Sequence, residues 1–248
     1  MTIPRYPEAI PSLTTEQMIE VDRAMVEDFR IELIQMMENA GRNLASLACE
    51  RFLEHHPVGK QVVVLAGTGG NGGGTLVAAR RLQNWGAQVR VFITRPAKDF
   101  TSVPAHQLDI VRRMNVPILQ SSMIQIVGHT DLIVDGIIGY SLKGAPREAA
   151  KDLIQWANSQ PAPILALDAP SGLDTTTGTI FDPAIKATAT MTLALPKEGL
   201  RVPEVQAHVG ELYLADISVP GSLYEEALGL HVGPIFAKSD IVRLEPTL

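Results

Sequence analysis

The sequence predicts an α/β fold with a mostly parallel central sheet, and three observations carry that prediction. Short apolar runs bounded by glycine or proline, such as 61–66 (QVVVLA) and 163–168 (PILALD), read as strands buried on both faces. Segments of helical periodicity separate these runs at the spacing of βαβ units. Glycine- and aspartate-rich strings then follow directly on the strands, where an open parallel sheet holds its ligands.

Taken in order, residues 1–13 form an extended arm punctuated by Pro4, Pro7 and Pro11. Thr14 and Gln17 make a capping box that opens a helix over about 15–29. A second helix over about 32–55 carries Leu33, Met36, Met37, Ala40, Leu44, Leu47 and Ala48 on one face. The strand 61–66 leads into a loop with six glycines between Gly67 and Gly74, and a helix is expected over 76–85. A strand at 88–94, a helix at 104–114, a short strand at 117–120 and a stronger one at 132–135 continue the alternation. A helix over 146–158 opens on Pro146, since proline suits the first helical turn. Strands at 163–168 and 189–195 follow, then 209–216 as a late edge strand and an irregular tail. With no linker and no internal repeat, residues 1–248 read as one domain with its core over about 13–220.

Composition narrows the function classes. The 248 residues are 46% hydrophobic and 19% charged, which is globular usage and excludes collagen-like or wholly disordered chains. A net charge of -6 argues against a nucleic-acid binder. The lone Cys49 has no disulfide partner, and no Cys/His cluster has zinc-site spacing. No stretch reaches the roughly 20 apolar residues of a membrane span, and residues 1–12 lack a signal-peptide core. A soluble, cytoplasmic protein that binds neither membrane nor nucleic acid is therefore expected.

Three strand ends concentrate the chemistry. The glycine loop runs Gly67-Thr68-Gly69-Gly70-Asn71-Gly72-Gly73-Gly74 into a helix, and exposed N–H groups at a helix start favour anions. Asp135 begins a second string that ends at Lys143-Gly144, and Asp168-Ala169-Pro170-Ser171-Gly172 is the third. The Walker lysine is absent, so this is not a nucleoside triphosphatase loop. Residues alone support an enzyme or binder for an anionic, nucleotide-like ligand.

Five co-linear strings go further. Leu13 through Arg42, with Met37-Glu38-Asn39-Ala40-Gly41-Arg42, resembles the opening helices of the YjeF N-terminal domain family, the NAD(P)HX epimerases. Gly67–Leu82 resembles that family's glycine loop, Asp135–Gly144 its D-A-[LI]-[FL]-G…K-G string, and Asp168–Asp174 its D-[IV]-P-S-G-x-[DN] string. Thr190–Leu193 through Lys197-Glu198-Gly199-Leu200 is similar to its T-V-T-F…P-K-x-G-L segment.

The resemblance implies a Rossmann-like three-layer α/β/α sandwich, a homodimer, and interconversion of the R and S forms of NADHX and NADPHX. These are nicotinamide cofactors hydrated at ring carbon C6; a separate NAD(P)HX dehydratase then restores the S form. It implies substrate contacts at Gly70, Asn71, Gly72, Gly73 and Gly74, at Gly139, Tyr140, Ser141, Leu142, Lys143, Gly144 and Ala145, and at Asp168. A potassium ion is implied at Asn71, Asp135 and Ser171, oxygen donors suited to an alkali cation. Asp168 is expected to be the general acid/base, and Asp168→Asn to remove turnover while leaving the fold nearly intact.

The glycine loop departs from the family pattern. Thr68 replaces proline, Gly70 the first asparagine, Gly74 an aspartate and Thr75 a glycine, with the Thr75 hydroxyl a partial substitute for the lost polar groups. Two further readings follow from the residues. One is a family member that has lost its chemistry and binds a nucleotide or a protein; the other is an NADP-dependent oxidoreductase with Arg95 on the 2′-phosphate.

Overall fold

The computed structural model describes residues 3–7, 9–100 and 102–245. Its strands are β1 (Arg5–Tyr6), β2 (Gln61–Ala66), β3 (Gln88–Ile93), β4 (Ile118–Gln120), β5 (Leu132–Gly136), β6 (Ile164–Leu167), β7 (Ala189–Leu193), β8 (Glu211–Ala215) and β9 (Ile241–Leu244). Its helices are α1 (Thr15–Glu27), α2 (Leu33–Arg51), α3 (Gly70–Asn84), α4 (Ser102–Arg113), α5 (Glu148–Ser159), the short α6 (Gln206–Val209) and α7 (Gly221–Leu228).

Among the described residues these nine strands join one sheet in the order β1-β9-β8-β7-β6-β5-β2-β3-β4. Every pairing is parallel except β8 with β9. Alternation along β2 sorts the core: Val62, Val64 and Ala66 pack with α2, α3 and α4, while Val63 and Leu65 pack with Leu153, Ile154 and Ala157 of α5. Beyond α5, α1 and α7 pack on the β8–β9 end through Met18, Val21, Leu223, Leu214 and Val242. Helices therefore cover both faces, the expected three-layer α/β/α arrangement.

The Thr14–Gln17 capping box forms as expected, with Gln17 N–H donating to Thr14 Oγ1 at 3.2 Å and Thr14 N–H to Gln17 Oε1 at 2.9 Å.

Elsewhere the structure departs from the expectation. Helix α3 starts at Gly70, not Leu76, because glycine's low helix propensity hides the helical turn that tertiary contacts impose. Helix α5 begins at Glu148: Arg147 is extended as its cap, so Pro146 lies outside the helix. Strand β8 is not an edge. The tail returns as β9 to pair with it antiparallel, and Arg5–Tyr6 of the N-terminal arm closes that side as β1.

Candidate active site

The chain lays β2, β3 and β4 outward in one direction, then returns to place β5 on the other side of β2. At such a reversal the loops leaving two neighbouring strands diverge and open a crevice at their carboxyl ends. The Gly67 loop leaves β2 there and the Ile137 loop leaves β5. A cleft of about 800 Å³ occupies this position. The two loops touch: a Cβ on Gly67 would stand 2.0 Å from the Ile137 carbonyl oxygen. Gly70, by contrast, has open space around it.

This contrast gives a prediction within one loop. Gly67→Ala is expected to cost about 1–3 kcal/mol because backbone must move, whereas Gly70→Ala should stay within about 1 kcal/mol of wild type in thermal unfolding. Equal losses for the two variants would refute the loop contact.

Register brings the aspartates together. Leu65 of β2 pairs with Asp135, Asp135 with Ala166, and Leu167 with Met191. Asp135 is fully buried and accepts three hydrogen bonds, from Ile137 N–H (3.1 Å), Ser171 N–H (2.8 Å) and the Ser171 hydroxyl (2.7 Å). No cation pairs with it among the described residues, and burial pushes its carboxyl up to about 6 against those hydrogen bonds. Asn71, in the first turn of α3, donates its amide to the Leu167 carbonyl at 2.7 Å, so its carbonyl end stays near the Gly139 backbone.

Asp168 directly follows β6 with φ +65°, a left-handed conformation that aspartate tolerates and that recurs at functional strand ends. Its N–H donates to Met191 O at 2.7 Å, and its carboxylate takes an ion pair from Lys197 Nζ. Both side chains are buried, yet both line the cleft. Lys197 also donates to Leu193 O (2.9 Å) and lies 3.3 Å from Thr192 Oγ1. The lysine is aimed by backbone: Leu13 forms a parallel bridge with it, with bonds of 2.8 Å to Pro196 O and 3.0 Å from Glu198 N–H. The sequence alone signals no role for Lys197, nor for Asp22, whose carboxylate accepts from the Tyr140 hydroxyl at 2.5 Å in the same cleft.

The sequence-predicted residues are distributed as follows. Gly70, Asn71, Gly72, Gly74, Gly139, Tyr140, Ser141 and Asp168 line the cleft. Gly73 turns instead toward Met37 of α2. Leu142, Lys143, Gly144 and Ala145 are not on its wall, whereas Arg147, Glu148, Ala149 and Ala150 are. Asp135 and Ser171 lie beneath the surface of the site. The Thr75 hydroxyl does not substitute for lost polar groups: it is fully buried, donates to Gly72 O at 2.9 Å and packs on Gly136. At Gly74 a Cβ would meet Leu167 Cδ2 at 2.6 Å, so leucine occupies the space an aspartate there would need. Arg95, at the end of β3, pairs with Glu148 at 3.2 Å on the cleft rim.

An open α/β sheet with its cleft at the reversal of strand order defines this chain as a Rossmann-like protein built to take a small ligand above the strand ends. Residues 33–199 match the family described as YjeF-related protein N-terminus, and the chain belongs to that family. It is 39% identical over 224 residues to the NAD(P)H-hydrate epimerase of Dehalogenimonas lykanthroporepellens, covering 89% of this chain and 87% of the relative. It is 35% identical to the bifunctional NAD(P)H-hydrate repair enzyme Nnr of Moorella thermoacetica, covering 85% of this chain but 41% of that longer protein. Among solved structures, yeast ynu0 superposes with a TM-score of 0.80 at 26% identity, covering 95% of this chain and 100% of ynu0.

Proposed function

We propose that this protein is an NAD(P)H-hydrate epimerase, interconverting the R and S forms of NADHX and NADPHX. The observation that carries the reading is the buried Asp168–Lys197 pair facing a nucleotide-sized cleft in a chain of this family. Epimerisation at C6 requires proton transfer at the C6 hydroxyl, and Asp168 is the group we assign to it. Lys197 holds the Asp168 carboxylate in place and compensates its charge where water is excluded. The first-turn N–H groups of α3 and the rim arginines Arg95 and Arg147 provide the positive side of the cleft for phosphates. Gly70 leaves the cleft open and Leu167 fills the space beside Gly74, so neither change obstructs the cleft, which favours an active enzyme over a member reduced to binding.

The residues read as a potassium site fit that ion. Asn71, Asp135 and Ser171 present oxygen donors, and Asp135 is a buried carboxylate with no cation beside it among the described residues. A mixed amide, carboxylate and hydroxyl set of hard oxygen donors suits an alkali cation. Asn71, Asp135 and Ser171 would hold the ion, whose positive charge would offset the buried Asp135 carboxylate. Replacing potassium by sodium is expected to lower the wild-type rate several-fold and the unfolding midpoint by a few degrees. Asp135→Asn should abolish both responses; a response unchanged in that variant would remove the ion from this site.

We also propose that residues 1–248 form a single domain, that the protein is a homodimer, and that a separate NAD(P)HX dehydratase consumes the S form. The bifunctional naming of the longer relatives fits such a two-step repair. No helix among the described residues is long and apolar enough to cross a membrane.

The test is direct. Purified protein is mixed with separated R-NADHX in potassium buffer, and S-NADHX is followed by chromatography against the spontaneous rate. Acceleration supports the reading. A folded protein giving only the spontaneous rate overturns it.

A further inference from the structure

Epimerisation by Asp168 leaves a second acidic group of the cleft without a task. Asp22 stands on α1, and the Tyr140 hydroxyl from the loop after β5 donates to its Oδ2 at 2.5 Å, a bond spanning 118 residues. Asp22 and Tyr140 line the cleft with Asp168 and Lys197, among Met18, Met36, Ala40, Leu193 and Ile217. The two carboxyl groups differ in what they face. Asp168 is ion-paired to Lys197, whereas Asp22 has no ion pair among the described residues. Its neighbour Arg23 is engaged by Glu20, Glu27 and Asp28 instead. One carboxylate beside a lysine and one carboxyl against a phenol in a largely apolar wall is the contrast by which a site separates its base from its acid.

We propose that Asp22 is the second proton-transfer group of this cleft, acting as acid where Asp168 acts as base, with Tyr140 as the residue that positions it. The proposal rests on the epimerase reading. In one direction the C6–O bond breaks with its electron pair going to oxygen, and Asp22 gives that oxygen its proton, so the hydroxyl leaves as water. The ring nitrogen lone pair forms the double bond to C6. Water then adds to C6 from the other face and gives its proton to Asp168. One proton has passed from Asp22 to Asp168, and it returns through solvent or in a turnover of the opposite sense.

Burial raises the Asp22 carboxyl above its ordinary value, against the opposing hydrogen bond from Tyr140. The charged and titratable groups facing it are Tyr140, Lys197 and Asp168 and, from α7, Tyr224. An acid with a raised value keeps its proton into a higher pH range and loses function as pH climbs through that value. Asp22 therefore supplies the alkaline limb of the rate profile.

The experiment measures kcat and KM across pH for wild type, Asp22→Asn, Asp22→Glu and Tyr140→Phe, with melting curves for each. Asp22→Asn is expected to lose about 100-fold or more in kcat with KM within about threefold, and to lose the alkaline limb. Asp22→Glu should regain part of the rate, and Tyr140→Phe should lower kcat about tenfold and displace the limb. A folded Asp22→Asn protein with kcat within about threefold of wild type, or a loss confined to KM, overturns the proposal. Should Asp22→Asn fail to fold, Tyr140→Phe decides: a displaced limb supports the assignment and an unmoved one overturns it. Wild-type protein that gives no acceleration is a different failure, that of the epimerase reading itself.

Discussion

Asp168→Asn is expected to lower kcat by about 10²- to 10⁴-fold, the range that a positioned acid/base group contributes. The side chain has almost the same shape, and its carbonyl oxygen can still accept from Lys197, so the loss is one of charge and proton exchange. The sequence expectation is that the variant keeps its fold, and the burial of Lys197 adds to it a cost in stability. Lys197 is fully buried, and the asparagine leaves its ammonium with only neutral acceptors, the new amide oxygen, Leu193 O and the Thr192 hydroxyl, and no compensating charge. A melting point reduced along with the rate is therefore expected. Substrate binding, measured by equilibrium titration on the folded variant, should survive within about tenfold, since most of the cleft wall comes from other residues. A variant with full turnover would remove Asp168 from the chemistry.

Much of this site was legible in the sequence because its backbone signals are local. Gly67–Gly74, Asp135-Gly136 and Asp168-Ala169-Pro170-Ser171-Gly172 each follow an apolar run directly, and a parallel sheet places consecutive strand ends on one edge. What escaped depends on contacts between distant residues. Lys197 lies 29 residues from Asp168, and they meet because β6 and β7 pair in register and Leu13 bridges the segment after β7. A lone lysine reads as a solvated charge, and only this enclosure makes it a counterion. Asp22 and Tyr140 are further apart still, joined when α1 is capped at Thr14 and laid beside the β5 loop. The sheet's far side escaped for another reason. Arg5–Tyr6 and Ile241–Leu244 are too short to show a period, and become strands by docking against β8 and one another.

Lys197→Met is the variant with the largest expected effect on stability, about 3–5 kcal/mol. That is the range for breaking a buried ion pair so that one charge is left uncompensated. For a chain of this size it corresponds to a fall of roughly 6–20 °C in the unfolding midpoint. The remaining donors near Asp168, Leu193 N–H and the Thr192 hydroxyl, stand at 3.4 Å and replace little of the lost bond. The double variant Asp168→Asn/Lys197→Met separates two roles of the pair. With both charges gone no desolvated ion remains, so stability should recover well beyond the sum of the single losses, a coupling readable from a double-mutant cycle. Turnover should not recover, because the proton-exchanging carboxylate is still absent. A Lys197→Met protein that melts with wild type would mean that the buried lysine is not the counterion of Asp168. A double variant that regains activity along with stability would mean that the pair holds the β6 and β7 ends together and takes no part in proton transfer.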